Sequence, residues 1–222
     1  MTRTWALVKG HPSGVLLFGQ LLVVLAYPFL QDSTPGRAIL GVVQMVLVFT
    51  AVVAVRRTPA LSWVALVFGV PAMAFAVLEA VEPHTDWIVL VSAVVHVPFY
   101  FFVSYAMVRY LFHDDRVTRD ELFATGAAFT VVAWAFAYIY AAVQVIWVGS
   151  FDGPGGAVER EWFELLYLSF TTLTSVGLSD IVPAGDHARS LVMVEQVAGV
   201  LYVALVVARL VGLTRARAST QR

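Results

Sequence analysis

The chain has 222 residues, 60% of them hydrophobic and 13% charged, with a formal net charge of −1 and a mean hydropathy of +0.82. A soluble domain of this length and composition would expose large apolar patches, so the chain reads as a polytopic membrane protein. Cysteine is absent, which excludes a disulfide framework and a thiolate metal site.

Apolar runs long enough to cross a bilayer as helices fall at about Ser13 to Leu30, Ala38 to Val55, Ala60 to Val81, Trp87 to Phe112, Leu122 to Val148 and His187 to Leu213. Arg3 and Lys9 precede the first run as in a signal peptide. However, Tyr27-Pro28-Phe29 is not a small-residue cleavage site, and the run is read as a retained first span. The connections among the first four spans are short: Gln31 to Arg37, the basic Arg56-Arg57-Thr58-Pro59 turn, and Glu82 to Asp86. A charged segment, His113 to Glu121, then divides the chain into a four-helix module at 1–112 and a second module at 113–222. Thr118 and Glu121 are spaced as a capping box for the fifth helix. A Gly-, Asp- and Pro-rich loop, Gly149 to Val158, leads to the amphipathic stretch Glu161 to Thr174. That stretch is too short to span and is suited to a re-entrant helix.

Orientation follows from the basic residues, which stay on the cytoplasmic side. With six spans, 11 of the 14 Lys and Arg residues fall on the side of the two termini, and only Arg37, Arg160 and Arg189 fall opposite. Both termini are expected in the cytoplasm.

Between the re-entrant stretch and the last span lies Thr171-Thr172-Leu173-Thr174-Ser175-Val176-Gly177-Leu178-Ser179-Asp180, followed by Ile181-Val182-Pro183. This stretch resembles the selectivity filter of potassium channels, with Ser175 to Ser179 at the positions of the T-V-G-Y-G segment and Asp180-Ile181-Val182-Pro183 similar to the D-I-x-P exit. From roughly Asp120 to Leu213 the chain resembles the pore domain of the potassium channel superfamily, and its last span is similar to inner helices of bacterial one-pore channels.

Together with the six apolar runs, the resemblance implies an all-α membrane protein with six transmembrane helices. It places a re-entrant pore helix and a filter between helices five and six, and implies assembly with three further copies into a homotetramer, because one chain supplies one pore loop. It implies an ion-binding filter at Thr174, Ser175, Val176, Gly177, Leu178, Ser179 and Asp180. Potassium would lie on the carbonyls of Ser175, Val176, Gly177 and Leu178, which replace the hydration shell, and the Ser175 hydroxyl would serve the innermost site. No other cofactor, no nucleic acid and no catalysis are expected. The membrane is expected to be the plasma membrane of a bacterium.

Two residues depart from the family pattern. Leu178 replaces the tyrosine, and Ser179 replaces the second glycine, where a left-handed backbone would cost about 1–2 kcal/mol. They favour, as alternatives, a weakly selective monovalent cation channel or a non-conducting subunit.

Tyr167 is placed to donate a hydrogen bond to Asp180. Glu195, an ionisable residue inside an apolar span, is expected to face protein or water and to brace the filter through the hydroxyl of Thr171 or Thr172. Gly199 stands either at a hinge or at a close helix contact. The fourth helix holds one basic residue, Arg109, too few for a voltage sensor, so the first four helices read as a collar. His96 is read as a structural histidine with a proton sensor as the alternative. Gln20, Gln44 and Gln144 are read as interhelical hydrogen-bonding residues. Arg215 and Arg217 are read as positive-inside anchors, with attraction to anionic lipid as the alternative. The short sequence after Arg209 predicts no cytosolic ligand-binding domain.

Overall fold

The computed structural model describes residues 12–54, 59–111, 118–156 and 158–220. Among them are seven helices: α1 (Pro12–Leu30), α2 (Thr34–Ala54), α3 (Pro59–Val81), α4 (Asp86–Leu111), α5 (Arg119–Ile146), α6 (Trp162–Leu173) and α7 (Asp186–Thr220), with the short strands β1 (Phe151–Asp152) and β2 (Val182–Pro183). The Arg56-Arg57 turn and the division at 112/113 lie outside the described residues, as do the side chains of Arg215 and Arg217.

Helices α1, α4, α5 and α7 are long and apolar enough to cross a membrane. The apolar helical stretches described in α2 and α3 are shorter, Thr34–Leu47 and Val67–Val81. The helix starts follow local chemistry. The Glu121 amide donates to the Thr118 Oγ1 at 3.3 Å and the Thr118 amide to the Glu121 carboxylate at 2.9 Å, the expected capping box. The α1–α2 hairpin closes tightly because a Cβ on Gly36 would come within 2.0 Å of the Leu30 carbonyl oxygen. Helix α7 runs past the predicted Leu213 to Thr220, since Arg and Ala are good helix formers and no proline follows to stop it.

The first five helices form a ring. Helix α1 packs on α2, α2 on α3, α3 on α4, α4 on α5, and α5 back on α1. The contact between α4 and α5 is the largest. At the start of α1, the Ser13 amide and hydroxyl each donate to the Asp120 carboxylate at 2.9 Å, so the first helix is tied to the fifth. Alanines 124, 127, 128, 133, 135 and 137 are buried along α5 and let neighbouring backbones approach closely, as small residues do inside membranes. Trp134, Tyr100, Phe99, Met45 and Met107 fill the space between.

Helix α6 leans on α5, and α7 touches α6 and α5. The contrast between the two long helices matters. In the spanning part of α5, 61% of residues are buried within one chain, whereas in α7 the share is 17%.

Candidate pore and selectivity filter

Helix α6 has 12 residues, about 18 Å at 1.5 Å per residue, well short of the roughly 30 Å hydrocarbon core. Its start is held by Glu164, which accepts from the Glu161 amide at 2.9 Å. Its buried face carries Leu165, Leu166, Leu168, Ser169 and Leu173.

The chain leaves α6 by folding back on the carbonyls that the helix end leaves unsatisfied. The Ser175 amide donates to the Thr172 carbonyl at 2.9 Å. The amides of Val176 and Gly177 both donate to the Thr171 carbonyl, at 3.0 and 2.9 Å. Two left-handed residues make the fold-back possible, Ser175 at φ +60° and Gly177 at φ +68°. No peptide bond among the described residues is cis. In a trans peptide the N–H of one residue and the C=O of the residue before it point in opposite directions. With three successive N–H groups turned toward α6, the carbonyls of Thr174, Ser175 and Val176 turn away from it. All three residues are exposed in the single chain. An ordinary strand alternates its carbonyls; this segment aligns them.

The left-handed non-glycine residue is therefore Ser175, not Ser179 as expected. Ser179 has no positive φ, and its Oγ accepts from the Ile181 amide at 3.1 Å. Tyr167 also finds a different partner. Its hydroxyl donates to the Leu178 carbonyl at 3.0 Å and not to Asp180, so the Leu178 oxygen is engaged from behind the segment. Asp180 is exposed. The Thr171 hydroxyl donates to the Leu168 carbonyl at 2.9 Å, and Thr174 Oγ1 donates to the Phe170 carbonyl at 2.7 Å.

Glu195 is fully buried, and its carboxylate accepts from Tyr140 on α5 and Ser169 on α6, one oxygen each. Thr171 and Thr172 are not its partners. The hub joins α5, α6 and α7 at one point, and the Ser169 Oγ also lies 2.9 Å from the Ala133 carbonyl oxygen, so its single hydrogen is shared between that carbonyl and Glu195. No local signal in the sequence singles out Tyr140 and Ser169, which stand close to Tyr138 and to Thr171 and Thr172. Gly199 is a close contact: a Cβ there would come within 2.0 Å of the Leu173 carbonyl oxygen.

The exit from the segment is pinned as well. Strands β1 and β2 pair Phe151 with Pro183 and Asp152 with Val182. The Ser150 carbonyl accepts from the amides of Ala184 and Gly185 at 2.9 and 3.1 Å. Gln144 clamps the incoming loop, its amide taking both the Arg160 amide and carbonyl at 3.0 and 2.9 Å. The buried Arg160 guanidinium donates to the carbonyls of Pro154 and Gly156.

In the ring, Gln44 donates to the Tyr100 hydroxyl at 2.9 Å, an interhelical bond as expected. Gln20 departs from expectation, being buried with neither amide atom partnered. His96 is fully buried; its Nδ1 donates to the Ser92 carbonyl at 2.9 Å and its ring stacks on Tyr138 at 4.3 Å, a structural arrangement. Arg109 lies in the last turn of α4.

Residues 127–216, from the middle of α5 through α6 and the aligned segment into α7, match the family model described as ion channel. No curated protein and no solved structure matches the chain. The matched residues are less than half of the chain and leave α1 to α4 outside them.

Proposed function

We propose that this chain assembles as a homotetramer and conducts potassium passively, with the segment from Thr174 to Gly177 as a backbone-carbonyl selectivity filter facing outward and both termini in the cytoplasm. The observation that carries the reading is the run of Ser175, Val176 and Gly177 amides bonded back onto α6, which turns successive carbonyls to one side. Aligned carbonyls are what a dehydrated monovalent cation requires.

The tetramer is supported by the unpartnered state of α7. Met193, Val197, Val200 and Leu201 are all more than half exposed in one chain, and one pore loop encloses nothing until it is repeated around an axis. The collar formed by α1 to α4 holds no series of basic residues for voltage sensing. The non-conducting reading has no observation in its favour.

A second reading, a weakly selective monovalent cation channel, is favoured by one observation. The Leu178 carbonyl is occupied by Tyr167, which removes the outermost of the four expected carbonyl rings. Reconstitution into vesicles with opposed potassium and sodium gradients separates the two. A reversal potential near the potassium equilibrium potential supports the first, and one near zero the second.

A further inference from the structure

Beside the pore module, at the end of the molecule that holds the filter exit, a cavity of about 110 Å³ opens between α1, α2, α3, α5 and the start of α6. Its mouth carries His84 and Glu159, whose side chains are 64% and 51% exposed. Inside, Trp162 stands between two tyrosines, with ring centroids 5.8 Å from Tyr27 and 5.6 Å from Tyr138. Glu79 also lines it and accepts from the Tyr138 hydroxyl at 3.3 Å.

The charge arrangement is the informative part. Both guanidinium groups that border the cavity are committed to backbone oxygens. Arg37 donates to the carbonyls of Ala80 and Gln31 at 3.2 and 2.9 Å, and Arg160 to those of Pro154 and Gly156. Among the described residues, no basic group lies within ion-pairing distance of Glu79. A half-buried carboxylate without a cation is costly. Tyr27 and Tyr138 each have one face covered, by Phe163 at 4.4 Å and His96 at 4.3 Å, which leaves their other faces and the Trp162 ring at the cavity for a positive charge.

We infer that this cavity binds a small organic ammonium ion, with the ammonium against Glu79 and the rings of Tyr27, Tyr138 and Trp162. Choline is the simplest probe of this class. The volume is below the roughly 300–1,000 Å³ of drug-sized pockets, which suits a compact cation and excludes bulky ones. Trp162 is the first residue of α6 and Glu161 the residue before it, so an occupant touches the helix that carries the filter. The site goes beyond the conduction reading and does not depend on it.

Equilibrium binding of radiolabelled choline to the purified full chain in detergent tests the inference. Expected is saturable binding that tetramethylammonium displaces and tetrabutylammonium does not, weakened about tenfold or more in Glu79→Gln at an unchanged elution volume. Tyr138→Phe, which keeps the ring, should retain binding. If Glu79→Gln does not fold, the size series on the unaltered chain decides. Displacement by tetrabutylammonium, binding that Glu79→Gln leaves unchanged, or no saturable binding overturns the inference. The first two results place the cation elsewhere, as at the pore mouth.

Discussion

Gly199 on α7 lies so close to Leu173 at the end of α6 that a Cβ would come within 2.0 Å of the Leu173 carbonyl oxygen. The neighbour is backbone at the point where α6 hands over to the candidate filter segment, so it has little freedom to retreat. Gly199→Ala should therefore push α7 away from α6, at a cost of about 1–3 kcal/mol or more, with a lower melting temperature and loss of conduction together. Circular dichroism melts of the purified protein check this. Unchanged stability with altered open probability would assign Gly199 to a hinge instead.

Tyr167 holds the Leu178 carbonyl at 3.0 Å. Tyr167→Phe removes the donor while keeping the ring, which frees that oxygen to complete an outer carbonyl ring. Potassium-over-sodium preference should rise, read as a shift of the biionic reversal potential. Ser179→Gly should change preference little, because Ser179 does not occupy the left-handed region. A large gain in Ser179→Gly with none in Tyr167→Phe would reverse this ranking.

At Glu195, Gln and Ala should differ. An amide still accepts from one hydroxyl and can donate to the other, so Glu195→Gln should keep assembly and most conduction. Glu195→Ala leaves the buried Tyr140 hydroxyl without its acceptor, at about 1–3 kcal/mol, and leaves Ser169 only the Ala133 carbonyl. The expected signature is a filter that closes more readily in low external potassium, measured as faster current decay. Tyr140→Phe or Ser169→Ala should give a milder form of the same decay. Equal behaviour of Gln and Ala would remove the hub from the account.

Voltage dependence should be shallow. With Arg109 the only basic residue in α4, Arg109→Gln should leave the conductance–voltage relation of the reconstituted protein nearly unchanged. A steep curve equivalent to several charges per subunit would contradict the collar reading of α1 to α4.

The helices were legible because each is a long apolar run ended by Pro, Gly or charge, and the cap at Thr118 follows from a three-residue spacing. The candidate segment stands out because Thr-Ser-Val-Gly and Asp-Ile-Val-Pro are local patterns. What escaped depends on packing between distant positions. Glu195 meets Tyr140, 55 residues away, and nothing near Glu195 in sequence distinguishes Tyr140 and Ser169 from Thr171 and Thr172. Family register puts the left-handed residue at Ser179, but hydrogen bonding decides it. The two-carbonyl capping of α6 by Ser175, Val176 and Gly177 puts the turn at Ser175. The closure of the ring by α1 against α5, through Ser13 and Asp120, carries no local signal at all.

Gly177 tests the central claim most directly. At φ +68° with nothing of its own chain within 4 Å of a built Cβ, Gly177→Ala meets no neighbour within the chain but is strained by about 1–2 kcal/mol toward another backbone conformation. The fold and assembly should survive while the aligned carbonyls are lost. In vesicles with opposed potassium and sodium gradients, the unaltered protein should reverse near the potassium equilibrium potential, and Gly177→Ala should be silent or reverse near zero. A Gly177→Ala protein whose current and reversal potential match those of the unaltered chain would contradict the assignment of Thr174 to Gly177 as the filter.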